Sequence, residues 1–207
     1  DLTIEKRINK IKNMDLKSKL IIGTTAAVNV RYKGQESIIK ALGKLKMDGI
    51  INFEYQLVGG GDNTYLRTIA FENDVADQVK FLGSMPRNKV LAWLKTIDIY
   101  AQPSKTEGLP RALIEAMSCG VLAIGSRVGG IPELLDEKYL FSNSKYKEKE
   151  IVDLLKKIDE NTLIEQARRN YRISKKYETN LIKYWKITKI GDYFANHKCY
   201  NYYLQKK

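Results

Sequence analysis

The sequence predicts an α/β domain, a parallel sheet with helices on both faces, followed by C-terminal helices. Three observations carry this. Across residues 20–141 short apolar runs alternate with stretches of helical periodicity, the order a parallel sheet with crossover helices requires. Four of those runs are followed by loops with cleft-type chemistry, where a ligand of such a sheet binds. After Ser142 the chain turns helical and basic.

Taken in order, residues 1–19 are polar and lysine-rich, with Ile4, Ile8 and Ile11 spaced for one weak helix, and read as a linker or domain edge. Strands are expected at 20–23, 54–58, 79–82, 97–101 and 121–125, with a short sixth at 139–141. Helices are expected between them at 35–46, 63–72, 87–95 and 110–118, each long enough to return the chain across a sheet. Residues 20–143 then form one domain and 144–207 a helical extension. In the extension, 145–158 and 162–176 read as helices. The spacing of Ile173, Tyr177, Leu181, Tyr184 and Trp185 adds a third with an aromatic face that needs a partner surface.

Composition narrows the partners. The 207 residues carry 36 Lys and Arg against 24 Asp and Glu, a formal charge of +12. That balance suits nucleic acid, an anionic membrane surface or phosphorylated substrates. No zinc-finger spacing or aromatic RNA-binding signature accompanies it, so nucleic acid is not expected as a partner. No run approaches the roughly 18 apolar residues of a membrane span, and no signal-peptide order appears. The expected location is the cytoplasm, with the inner face of the membrane as a site the charge also suits. Cys119 and Cys199 have neither metal-ligand nor redox spacing, and the one histidine, His197, lies in the tail, against a Ser-His-Asp or Cys-His site. The chain begins at Asp1, from which a fragment of a longer protein is expected.

The chemistry concentrates in residues 102–120, QPSKTEGLPRALIEAMSCG. Glu107 and Glu115 flank the turn Gly108-Leu109-Pro110, and Pro110 suits the first position of a helix that stops at Gly120. A helix N-terminus offers unpaired N–H donors and partial positive charge, so it favours a phosphate. Glu107 would stand just before that site and Glu115 about 7 Å further along the axis. Two carboxylates around an anion site suit a ligand with hydroxyls at both ends and a diphosphate between, such as a nucleotide-sugar. Lys33, ahead of a helix opening near Gly34, is positioned for the same diphosphate. Gly59-Gly60-Gly61-Asp62 invites a dinucleotide reading but fails it: Thr64 stands where the third glycine belongs, and Phe81 near where the acid belongs. No Asp-x-Asp occurs, so no metal and no cofactor are expected.

These stretches resemble the glutamate, seven residues, glutamate motif of retaining glycosyltransferases of the GT-B fold, with two Rossmann-like domains. The nearest group is the family-4-like one that holds bacterial polysaccharide hexosyltransferases. Tyr32-Lys33-Gly34-Gln35, residues 56–61, Phe81-Leu82-Gly83 and residues 128–133 stand in the family's order, over roughly residues 20–141. The resemblance implies a Rossmann-like donor domain, the C-terminal half of such an enzyme, moving a hexose from a nucleotide-diphospho-sugar to a glycan or lipid-linked acceptor in surface polysaccharide synthesis. It implies that Glu107, the catalytic position, holds the sugar hydroxyls and Glu115 the ribose. Lys33 and Gly34 would face the diphosphate, Gly108, Leu109 and Arg111 would offer the backbone of the turn, and Met85 would present its backbone to the base. Family members commonly carry arginine at the position of Ala27; Arg31, two residues ahead of Lys33, is the nearby substitute. The resemblance also implies a missing N-terminal Rossmann domain, which the terminal helix would reach and without which the chain would be inactive. Two other readings remain: a nucleotide-sugar-binding subunit catalytic only with a separate acceptor-domain chain, and a basic protein that interacts with membrane or nucleic acid.

Overall fold

The computed structural model describes residues 2–15 and 18–194, the side chains of 178–194 excepted. Six strands form one parallel sheet: β1 (Leu20–Thr25), β2 (Phe53–Val58), β3 (Val79–Gly83), β4 (Ile99–Gln102), β5 (Leu122–Ser126) and β6 (Leu140–Phe141). Their order is β3-β2-β1-β4-β5-β6, a Rossmann-like arrangement. The order reverses between β1 and β4, which pair directly through Ile22 with Ile99 and Gly23 with Tyr100. Everything about the site follows from that adjacency.

The central strands β4 and β5 are buried because helices cover both faces, whereas β3 at the edge is largely exposed. Every residue of β4 and β5 is buried, and buried parallel strands read as unbroken apolar runs rather than alternating ones. Two tyrosines reach the interior with their hydroxyls satisfied: that of Tyr55 donates to Thr24 Oγ1 at 2.8 Å, and that of Tyr100 to Gln102 Oε1 at 3.2 Å. The crossover helices are α2 (Gln35–Met47), α3 (Thr64–Glu72), α4 (Arg87–Leu94) and α5 (Arg111–Ser118). They lie within one residue of the bounds expected. A one-turn helix, α6 (Ile131–Leu134), was not anticipated; Pro132 in its first turn suits a helix start.

Both ends of the chain differ from the sequence reading. The stretch read as a linker carries α1 (Leu2–Lys12), anchored by a buried arginine. Arg7 donates through Nη1 to the Ile97 carbonyl (2.8 Å) and through Nη2 to that of Asp98 (3.2 Å). Lys10 pairs with Asp98 at 2.7 Å, whose other oxygen accepts the Ile21 N–H at 2.9 Å. Composition hid this because lysine-rich helices look solvated until one basic side chain is found inside. After β6, α7 (Lys147–Leu155) is followed by α8 (Glu160–Phe194), a single helix where two were expected. Neither glycine nor proline occurs between Glu160 and Ile190, so nothing breaks it. Residues 1–174 form one compact unit and residues 175–207 a second. The side chains of Leu181, Tyr184 and Trp185, His197 and Cys199 lie outside the described residues.

Candidate functional site

The loops after β1 and β4 meet beyond the carboxyl ends of those strands. Lys33 closes a 3-10 turn, Arg31–Lys33, and Gly34 starts α2 in the left-handed conformation, φ +72°. The Lys105 N–H donates to the Tyr32 carbonyl at 2.7 Å, which ties the two loops together. They approach so closely that a Cβ at Gly34 would stand 2.0 Å from the Pro103 carbonyl oxygen. Glycine is thus required twice at this position, by its backbone angle and by its neighbour.

This contact brings Lys33 to Glu107 across 74 residues of sequence, Nζ to Oε2 at 3.1 Å. The same oxygen accepts from Gln102 Nε2 at 3.1 Å and from Ser104 Oγ at 3.0 Å. Both donors are buried, and the Ser104 carbonyl is held in turn by Ser126 Oγ. Glu107 is therefore a fixed carboxylate with a mostly covered side chain (15% exposed). Behind it, Gly129 (φ +53°) comes so near that a Cβ would meet the Glu107 carbonyl at 1.7 Å, and the Gly130 N–H donates to Gly108 at 3.0 Å. The Val128 to Glu133 landmark thus supports the turn of the 102–120 motif from the neighbouring strand.

The helix opens one residue later than expected: Pro110 is its cap and Arg111 its first residue, with no side-chain hydrogen bond at the cap. Gly108, Leu109 and Arg111 are exposed around that N-terminus. Glu115 is mostly covered and accepts from Arg87 Nε, at the start of α4, at 3.2 Å. Met85 is half-buried in the loop between β3 and α4. Arg31 takes a different direction from Lys33: its guanidinium lies over the Tyr65 ring of α3, 4.1 Å from the centroid. The Ala27 carbonyl accepts from Gln35 Nε2 at 3.0 Å. Gly59, Gly60 and Gly61 follow β2, not the first strand after which a dinucleotide fingerprint belongs, and they pack against the loop after β1, where a Cβ at Gly59 would lie 1.9 Å from the Ala26 carbonyl oxygen.

Sequence reasoning missed four participants. Gln102 and Ser104 lay inside the quoted motif without a role, and Arg87 had only its helix-opening position as a signal. Lys147 had none. It begins α7, is buried, and its Nζ donates to the Pro103 carbonyl at 2.8 Å and to Asn143 Oδ1 at 3.3 Å. Burial pushes its pKa down to about 8, against the partly opposing charge of Glu36. Among the described residues no three His, Cys, Asp or Glu side chains converge as a metal site, and no helix is long and apolar enough to cross a membrane.

Comparisons bear on the same residues. The family described as glycosyl transferases group 1 matches residues 6–177. Protein CapJ of Staphylococcus aureus is 35% identical over 158 residues, 76% of this chain and 39% of CapJ. The amylovoran biosynthesis glycosyltransferase AmsK of Erwinia amylovora is 38% identical over 111 residues, 50% of this chain and 27% of AmsK. Among solved structures, Anabaena HepE in complex with UDP and glucose shares the fold with a TM-score of 0.70 at 20% identity, covering 93% of this chain and 52% of HepE. The chain thus spans less than half the length of either curated relative.

Proposed function

The chain belongs to the glycosyl transferases group 1 family, and from that premise we propose that its first unit is the donor domain of a retaining hexosyltransferase. The donor is a nucleotide-diphospho-sugar, and the acceptor a glycan or glycolipid of a surface polysaccharide. One observation carries the reading: a lysine and a glutamate 74 residues apart converge at 3.1 Å at the sheet's switch point, beside a helix N-terminus. The complex of HepE with UDP and glucose, and the role of AmsK in amylovoran synthesis, support it.

Lys33 pairs with Glu107, and Arg87 with Glu115. A donor exchanges both pairs. Lys33 turns to the diphosphate, joined by the N–H groups at the start of α5, and Glu107 is released to accept hydrogen bonds from two sugar hydroxyls. Glu115 accepts from the ribose. Charge growing on the leaving diphosphate is met by Lys33 and the helix dipole, both already in place. Departure and attack occur on one face of the sugar, which retains its configuration. The acceptor wall comes from a second Rossmann-like domain outside these residues, and closure of the two excludes water.

Calorimetric titration with UDP-, GDP- and ADP-sugars tests the reading. At least one is expected to bind the chain, and transfer to appear once the second domain is supplied. A folded chain that binds none of them, or one whose binding survives Glu107→Ala and Glu115→Ala together unchanged, refutes it.

A further inference from the structure

We infer that Lys147 is a positioning residue for the donor diphosphate: a buried ammonium that holds the β4–α5 loop where it meets the Gly34 turn, next to the loop that carries Lys33. The inference rests on the donor reading above and adds a residue from outside the recognised motifs.

Burial of this lysine costs hydration that its neighbours restore only in part. The residue is 5% exposed, and the Phe141 ring, 5.5 Å from the ammonium to its centroid, returns only a weak cation–π attraction. An ammonium loses hydration there that two neutral oxygens restore only in part. The ammonium lies against the start of α2, so near that a Cβ at Gly34 would be 3.5 Å from Nζ. A helix N-terminus is itself partially positive and repels it. The charged groups facing Lys147 do not balance this. Glu36, on α2, is already paired with Lys105 at 2.8 Å; Lys105 opposes the charge from the β4–α5 loop, and Glu148 on α7 supports it only weakly. An apolar side chain of similar length fills the same space without these penalties.

What the ammonium does hold is the site. Its shortest hydrogen bond goes to Pro103, the residue that Gly34 must be glycine to approach and the neighbour of Ser104, which holds Glu107. The Lys105 N–H, two residues on, fastens the same loop to Tyr32 beside Lys33. The cation therefore anchors the β4–α5 loop at the point where it meets the Gly34 turn, and the Lys105 N–H ties that loop to the one carrying Lys33. A buried cation that costs hydration and faces a diphosphate site is preorganised for that anion.

The test is calorimetry with UDP-glucose and GDP-mannose on the 207-residue chain from pH 6.5 to 9.5, with thermal midpoints measured alongside. Lys147→Met is expected to unfold at an equal or higher temperature, yet to bind the sugar nucleotide at least tenfold more weakly below pH 7.5. Wild-type affinity is expected to fall as pH rises through about 8, where Lys147 discharges, and the variant to lack that slope. A lysine that only fills space predicts the reverse: lower stability and unchanged affinity. Should Lys147→Met not fold, Lys147→Gln decides, because it keeps a donor without the charge. Binding by Lys147→Met with wild-type affinity and pH slope, while Glu115→Ala abolishes it, overturns this inference alone. Folded wild-type protein that binds no sugar nucleotide overturns it together with the donor reading.

Discussion

Gly34→Ala separates the strain of a backbone angle from the fit of two loops. Gly34 and Gly49 share the left-handed conformation, φ +72° and +77°, but a Cβ at Gly49 meets nothing within 4 Å, whereas at Gly34 it would lie 2.0 Å from the Pro103 oxygen. Each alanine carries the left-handed penalty of about 1–2 kcal/mol, offset by the smaller entropy of its unfolded chain, about 0.4–1 kcal/mol. Gly49→Ala should therefore lose about 1 kcal/mol. Gly34→Ala must in addition move Pro103 by about 1.5 Å to restore ordinary contact, which breaks the hydrogen bond from the Lys147 ammonium, a charged one worth about 1.5–3 kcal/mol. Its total loss should be about 2.5–4 kcal/mol, or roughly 5–16 °C in melting temperature for a chain of this size. Urea unfolding followed by circular dichroism gives the stabilities, and calorimetry with UDP-glucose gives the affinity. Donor affinity should drop for Gly34→Ala only, since Ser104 and Glu107 move with Pro103. Equal stability losses in the two variants, or wild-type donor affinity in Gly34→Ala, refute the argument that this close approach organises the site.

Other outcomes follow from the same geometry. Glu115→Ala should weaken free nucleotide and sugar nucleotide alike, and Glu107→Ala mainly the latter, each by roughly ten- to a hundredfold; equal losses for both ligands in both variants contradict the assignment. Sugar-nucleotide binding should persist in EDTA, because Lys33 and the α5 N-terminus meet the diphosphate; loss restored by Mn²⁺ counts against this. Lys147 is held at about 8 in the folded protein and ordinarily titrates at 10.5, so between these values the unfolded chain binds more protons and stability should rise with pH. The rise is on the order of 3 kcal/mol, and urea unfolding of Lys147→Met should lack it. Arg7→Ala should destabilise the chain by about 2–4 kcal/mol, since the Ile97 and Asp98 carbonyls lose a charged donor; a loss near zero by the same measurement returns α1 to the status of a linker.

The sequence by itself determined the strands and crossover helices, because burial on both faces forces unbroken apolar runs that few other structures produce. It also singled out the loop on which the proposed site is built, since glycine, proline and glutamate around a helix start carry local meaning. The single helix α8 was within reach too: the absence of a breaker from Glu160 onward was there to be read. Tertiary structure alone decided the rest. Strand order puts β1 beside β4, and only then do Lys33 and Glu107, each a common residue in a common loop, become one ion pair. Arg7 and Lys147 were illegible for a related reason. Burial of a basic side chain is fixed by distant carbonyls, of Ile97 and Asp98 for one and of Pro103 for the other, which every residue carries and no pattern of side chains announces.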